Sequence, residues 1–456
     1  MGARLSLNDQ KASPSEIIEV SRVETCKRQR TSSSFWDENP RLFPGLPDEI
    51  SIQILARLPR IWHLKAKQVS RSWKAAIMSG EIYRLRKEHG ITEEWLYILT
   101  RVRNFKHMWY ALDPVSRIWQ RLPPMPNLAT EDGSRIADAV KGWLGLKDLW
   151  QNLYCGCSIC AVNGCLYVLG GFSKLKAMRS VWRYDPRDNS WSEMAPMCTG
   201  RAYCKISVLN NKLYVVGGLT MDLVGVRLIP LQCAEVFDPC SGTWTEIPSM
   251  PFSKARALPT PFPSELLKPV VTGMTSYRGK LYVRQGLYCR PLIDAGGEVY
   301  DPESNSWVDM PIGMAEGWPV RQSGAKLSFI VNEELYALNP SNSVDNARIK
   351  VYDHQEDAWK AIEGGLPNRS LTDSMSPYLF EGFLGKLHVI TKDVNHNISV
   401  MQADTLKRLA SSPSPSSDSS EELSEAVTRS PERTWKVIAT IQAKRDELDS
   451  CLILRY

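Results

Sequence analysis

Four cysteines crowd one short stretch, Cys155, Cys157, Cys160 and Cys165, in the spacing C-x-C-x2-C-x4-C. Thiolates this close are zinc ligands when two close pairs lie on separate turns. Here the surrounding residues read as a strand, whose alternation sends Cys155 and Cys157 to one face and Cys160 to the other. Ordinary buried cysteines are therefore expected, and no metal. The histidines, His63, His89, His107, His354, His388 and His396, are scattered, and the chain carries no Gly-x-Ser-x-Gly elbow, no His-Glu-x-x-His helix and no phosphate-cradling glycine loop. The expectation is a protein that catalyses nothing and holds no cofactor. What remains is recognition chemistry, which depends on the elements that present the side chains.

Composition narrows the partners. The 456 residues are 43% hydrophobic and 9% aromatic, ample for a large core. A formal net charge of +6, from 56 basic and 50 acidic residues with no long basic face, gives no footprint for nucleic acid. Eleven cysteines, an odd count, with no apolar segment behind Met1 to direct secretion, point to reduced thiols in the cytoplasm and/or nucleus. No window approaches the roughly 20 apolar residues of a membrane span, so a soluble protein is expected. The start MGARLS places Gly2 and Ser6 in an N-myristoylation pattern, but one acyl chain binds membrane only marginally. The basic run KRQR at 27–30 reads as a solvated cluster.

One interval recurs along most of the chain. An Asp is followed six residues later by a Trp in DPVSRIW (Asp113, Trp119), DPRDNSW (Asp185, Trp191), DPCSGTW (Asp238, Trp244), DPESNSW (Asp301, Trp307) and DHQEDAW (Asp353, Trp359). Ahead of each lies an apolar run with a Leu-Tyr pair, at Leu96, Leu166, Leu213, Leu281 and Leu335, and a sixth run at Leu387 has His388 in place of Tyr. The unit is a strand, a Leu-Tyr strand, a strand ending in Asp-Pro and a strand starting at Trp. The pattern fits four-stranded antiparallel units of about 40–50 residues. The pairs Gly170–Gly171 and Gly217–Gly218 end a strand where φ must be positive or a side chain would crowd. Asp accepts hydrogen bonds from nearby backbone N–H groups, Pro fixes φ, and Trp supplies an apolar plate for the neighbouring sheet.

A different period governs the segment before this repeat. In LPDEISIQILARLPR, Ile50, Ile54 and Leu58 recur at four-residue steps with Leu55 alongside, after a helix start at Pro47, Asp48 and Glu49. VSRSWKAAI continues with Val69, Trp73 and Ile77. These are short amphipathic helices, too few to bury their faces unaided.

The repeat resembles the kelch repeat of β-propellers, and the helical segment, with its Leu46-Pro47 opening and Val-Ser-x-x-Trp ending, resembles an F-box; together they resemble a plant-type F-box/kelch-repeat protein. The resemblance implies a mainly β fold, a six-bladed kelch-type propeller with a small N-terminal all-α F-box domain. The organisation expected is a disordered tail at 1–42, the F-box at 43–90 and the propeller at 92–456, with units near 92–126, 154–200, 202–251, 269–315, 324–367 and 376–456. The apolar end SCLILRY is expected to complete the first blade, which lacks an opening strand. Residues 409–433, Ser-rich and acidic, read as a disordered insertion; Ser412, Ser414 and Ser430 precede Pro and are either phosphoacceptors or part of an inert spacer. A second insertion, 127–153, carries Ile136, Val140, Trp143, Leu144 and Trp150 near helical spacing and suggests a helix on the rim.

For function, the resemblance implies the substrate-recognition subunit of an SCF-type ubiquitin ligase. Leu46, Pro47, Ile50, Ile54, Leu55, Leu58, Val69 and Trp73 are the positions carried over for a Skp-type adaptor, several of them to hold the helices together; cullin and RING subunits join through the adaptor. On the propeller, the expected target-binding positions follow the glycine pairs or precede first strands: Phe172, Arg201, Tyr203, Leu219, Leu287 and Arg321. The alternative from another class is a non-catalytic kelch scaffold that assembles no ligase.

Overall fold

In the computed structural model every Asp-to-Trp unit closes a sheet in the same way. The structure describes residues 17–18, 41–101, 107–125, 156–173, 176–221, 228–253, 256, 269–287, 293–318, 328–339, 348–362, 379–393, 395–403, 435–443 and 446–455. Among these, six sheets, each built on four antiparallel strands, form a propeller. Blade II is typical: Cys157–Val162, Cys165–Gly170, Val181–Asp185 and Ser190–Glu193 pair in sequence order from the inside outward. Blades III to VI follow the same order, beginning at Lys205–Leu209, Pro269–Tyr277, Ser328–Val331 and Leu379–Phe383.

The turn that ends each third strand explains the six-residue interval. The Asp carboxylate accepts the backbone N–H two residues on, from Asp113 to Val115 (3.1 Å), Asp185 to Arg187 (2.9 Å), Asp238 to Cys240 (2.9 Å), Asp301 to Glu303 (2.9 Å) and Asp353 to Gln355 (3.0 Å). Four residues after the Asp, the chain enters the left-handed region, at Arg117, Asn189, Gly242, Asn305 and Asp357, with φ between 46° and 70°. That reversal starts the outer strand at or just before the Trp. Asn, Asp and Gly tolerate this conformation best, which is why the position is mostly theirs.

The ring closes as expected. Glu447–Arg455 pairs antiparallel with Glu94–Arg101 and lies between the inner strands of blades VI and II, supplying the inner strand of blade I. Asp446, just before it, accepts hydrogen bonds from Thr100 and Tyr110, both at 3.2 Å. Near the N-terminus, Ile17–Ile18 forms a two-residue strand parallel to Trp119–Gln120, where the outer edge of blade I offers backbone groups for pairing. Leu42 also belongs to the helical core, and its carbonyl accepts the Trp73 indole N–H at 2.8 Å.

Ahead of blade I stand four helices, α1 (Asp48–Ala56), α2 (Arg60–Ala66), α3 (Arg71–Met78) and α4 (Gly80–Glu88). Pro47 precedes α1, whose first turn holds Asp48 and Glu49, and Ser70 caps α3 by accepting the Trp73 N–H at 3.0 Å. Leu55, Ala56, Ala66, Ile77 and Ile82 form the small core. No helix among the described residues is long and apolar enough to cross a membrane. The expected rim helix at 127–153, the Ser-rich insertion, Gly2 and the 27–30 run lie outside the described residues.

Candidate docking surfaces

Helix α1 turns Ser51 and Leu55 inward and leaves Ile50 and Ile54, one turn apart, 45% and 44% exposed. Leu46 and Pro47, at its entrance, and Val69, between α2 and α3, are also exposed. Five of the eight adaptor positions thus present apolar surface to solvent. The other three are core: Leu55 is 2% exposed, and Leu58 and Trp73 pack on it, Trp73 at 4.9 Å from the Phe43 ring. Trp62, 48% exposed, is a further apolar side chain on α2 that the repeat of four did not flag.

Strand register places the helices relative to the propeller. Leu166 pairs with Tyr184, so the Asp185 turn lies at the start of Cys165–Gly170 and the glycine pair at its far end. The helices contact the Asp-turn end: the Arg187 guanidinium stands 5.6 Å from the Tyr83 ring, and that of Arg60 stands 4.2 Å from the ring of Trp95, the residue before Leu96.

At the glycine-pair end, Phe172, Tyr203 and Leu219 meet in one apolar cluster with Ala177, Ala202, Met221 and Leu228. Its walls are two small hairpins inserted after the glycine pairs, Phe172–Ser173 with Lys176–Ala177 and Leu219–Met221 with Leu228–Pro230. Tyr203 and Leu219 are partly exposed, while Phe172 is buried beneath them. Tyr203 has φ +55°, and its N–H donates to the Gly156 carbonyl at 2.6 Å, so a bulky residue is held in a conformation it adopts rarely. Met221 and Leu228 escaped sequence reading because the hairpin that carries them lies outside the Asp-to-Trp and Leu-Tyr spacing that defines the repeat.

Arg201 and Leu287 are placed differently. Arg201 is 1% exposed: it pairs with Glu235 at 2.6 Å and donates to the carbonyls of Gly217 (2.8 Å) and Cys233 (3.1 Å). Glu235 in turn accepts the Cys198 N–H at 2.7 Å. This arginine fastens loops between blades II and III instead of facing a partner. Leu287 is 3% exposed in the core between blades III and IV, because the Arg284-Gln285-Gly286 run that replaces a glycine pair stays in its strand. Arg321 lies outside the described residues.

The glycine pairs do what their spacing implied. Gly170, Gly171, Gly217 and Gly218 all have φ between 63° and 100°, and a Cβ on Gly170 would lie 2.1 Å from the Arg201 carbonyl oxygen. Among the cysteines, Cys157 packs in one interblade cluster and Cys160 and Cys165 in the next, so the strand divides them. Burial pushes the thiols of Cys160, Cys165 and Cys204 up, Cys165 to about 12, which leaves them protonated and unreactive.

Residues 43–86 match the F-box-like family, and residues 153–197 and 200–251 match the Kelch motif. The F-box/kelch-repeat protein At1g22040 of Arabidopsis thaliana is 50% identical, with all of both chains covered. F-box/kelch-repeat protein At1g67480 of the same plant is 28% identical over 73% of this chain and 75% of its own. F-box protein AFR, also from Arabidopsis thaliana, is 26% identical over 70% and 74%.

Proposed function

The chain belongs to the F-box/kelch-repeat proteins, generally non-catalytic substrate adaptors of SCF ligases, and from that premise we propose that it is the substrate-recognition subunit of such a ligase. The observation that carries this reading is the exposed apolar stripe of Leu46, Pro47, Ile50 and Ile54 on an F-box that rests on the propeller's Asp-turn end. A Skp-type adaptor covers that stripe and brings the cullin and RING subunits with it. A target protein docks at the opposite end, where Tyr203 and Leu219, backed by Phe172, form a partly exposed apolar ledge. Aromatic side chains held rigid are strong anchors for a partner. The work takes place in the cytoplasm and/or nucleus.

The receptor needs no catalytic group. It raises the effective concentration of a target lysine beside the charged conjugating enzyme, and proximity supplies the acceleration. The test is co-purification of the full chain with a Skp-type adaptor and cullin, against a Leu46→Ala, Pro47→Ala double variant that keeps its circular dichroism. Retention by the intact chain and loss by the variant is the expected result. Retention by neither would leave only a kelch scaffold.

A further inference from the structure

The joint between the helices and the propeller is built around one carboxylate. Residues 89–93 alone separate the end of α4 from the first described strand of blade I, and this link is itself bonded back to the helix, His89 N–H to Leu85 and Ile91 N–H to Arg86, both at 2.9 Å. Glu93, its last residue, accepts three hydrogen bonds. Oε1 takes the backbone N–H of Arg60 at 3.1 Å and Nη2 of Arg86 at 2.6 Å, and Oε2 takes the indole N–H of Trp95 at 3.0 Å.

Those donors reach into every part of the joint. Arg86 on α4 is 2% exposed and also donates to the carbonyls of Ala56 (2.8 Å) and Leu58 (2.9 Å), which end α1. Arg60 opens α2, lies over Trp95 and donates to the Tyr97 hydroxyl at 2.6 Å. Ile61 and Tyr83 add apolar contact to the cluster of Trp95, Tyr97 and Tyr184. Burial would raise the Glu93 carboxyl, but the bonds from Trp95, Arg60 and Arg86 and the Arg86 charge outweigh it and hold the group below its usual range. Without Glu93, Arg86 would be a buried cation lacking its counter-charge, a strongly unfavourable state. The least costly relief is for the helices to swing away and let water reach it.

We propose that Glu93 is a positioning residue, fastening the adaptor-docking helices to blade I as one rigid body, so that the fold itself sets the separation of adaptor and target. Its consequence for ubiquitin transfer rests on the receptor reading above; the joint itself rests only on these contacts. A fixed separation concentrates transfer on the lysines within reach, whereas a loose joint spreads the same encounters over a larger volume.

The experiment uses the full chain with Glu93→Gln, which keeps the shape of the side chain and removes its charge. Two readouts are taken: amide hydrogen exchange at Ile91 and along α4, and the map of the chain's own lysines modified in the assembled complex with adaptor, cullin and RING. Protection at Ile91 and the end of α4 is expected to fall about tenfold, with the Leu-Tyr strands of blades III to V unchanged. Adaptor retention stays as in the wild type while the modified lysines spread over more of the propeller. Wild-type protection together with a wild-type lysine map would overturn the assignment. If Glu93→Gln does not fold, Tyr97→Phe, which removes the hydroxyl bonded by Arg60, is read at the same amides; a smaller loss supports the joint and none overturns it. If the wild-type chain retains no adaptor, the receptor reading fails, and exchange at Ile91 still decides the joint.

Discussion

The indole N–H of Trp191 in blade II donates to the carbonyl oxygen of Pro123, 2.9 Å away in the segment that leaves blade I. The bond recurs from Trp244 to Ala195 (2.9 Å), Trp307 to Pro248 (2.8 Å) and Trp359 to Met314 (3.0 Å), the last in the short helix α5 (Ile312–Gly317). Each ring also packs on an aromatic of its own blade, Trp191 at 5.3 Å from Tyr184 and Trp244 at 5.0 Å from Phe237. In these four units the tryptophan is therefore a tie between consecutive blades as well as a plate, whereas the buried Trp119 indole N–H has no hydrogen-bond partner among the described residues. Trp191→Phe keeps most of the plate and loses the bond, and should cost about 1 kcal/mol. Trp191→Ala should cost about 3–5 kcal/mol. Thermal unfolding of the two variants side by side checks this; a Trp191→Phe variant as stable as the wild type would deny the hydrogen bond any share.

The two faces of α1 should separate binding from folding. Ile50→Glu and Ile54→Glu change exposed positions and are expected to leave the unfolding midpoint near that of the wild type while abolishing adaptor retention. Leu55→Ala empties a core position and is expected to cost about 2–5 kcal/mol. Calorimetry with pull-down on the same preparations distinguishes them, and normal retention by the two glutamate variants would remove α1 from the adaptor interface.

Glycines at two kinds of turn should differ in their need. Gly242 has φ +70° with open space around a Cβ, so Gly242→Ala should cost only the backbone preference, about 1 kcal/mol. Gly170→Ala adds a clash with the Arg201 backbone to a φ of +63° and should cost several times more. Denaturant midpoints compare them directly.

Arg201 should behave as a structural residue. Arg201→Ala leaves Glu235 buried, 1% exposed, without its cation, and is expected to cost about 3–5 kcal/mol. Replacing both, as Arg201→Met with Glu235→Met, should recover much of that loss. A single variant with wild-type stability would return Arg201 to the list of partner anchors.

His388 predicts an acid limit. Burial lowers its pKa to about 4, though its ring also bonds the Lys386 carbonyl at 3.1 Å. The unfolded chain takes up a proton near 6.5 and the folded chain does not until about 4, so the folded state loses stability as pH falls between these values. A shift of this size corresponds to about 3 kcal/mol. His63, also lowered to about 4 by burial, acts in the same direction. His388→Gln should flatten the fall of the unfolding midpoint from pH 6.5 to 4 relative to the wild type; an unchanged slope would mean that the ring is protonated in the fold.

The Asp-to-Trp interval, the glycine pairs and the helix start at Pro47 were legible in the sequence because each encodes backbone geometry over a few residues. An Asp carboxylate reaches the N–H two residues on whatever the rest of the chain does, and a glycine takes a positive φ wherever it stands. The closing strand was legible too, since blade I lacked an opening strand and the last apolar run lacked a partner. Arg201 reads as a rim anchor until folding brings Glu235, 34 residues away, against it. Glu93 lies 33 residues from Arg60, and no local pattern marks it. Which charges are buried together, and which apolar side chains remain outside, depends on how distant segments pack, and burial is decided only when the blades and helices close on one another.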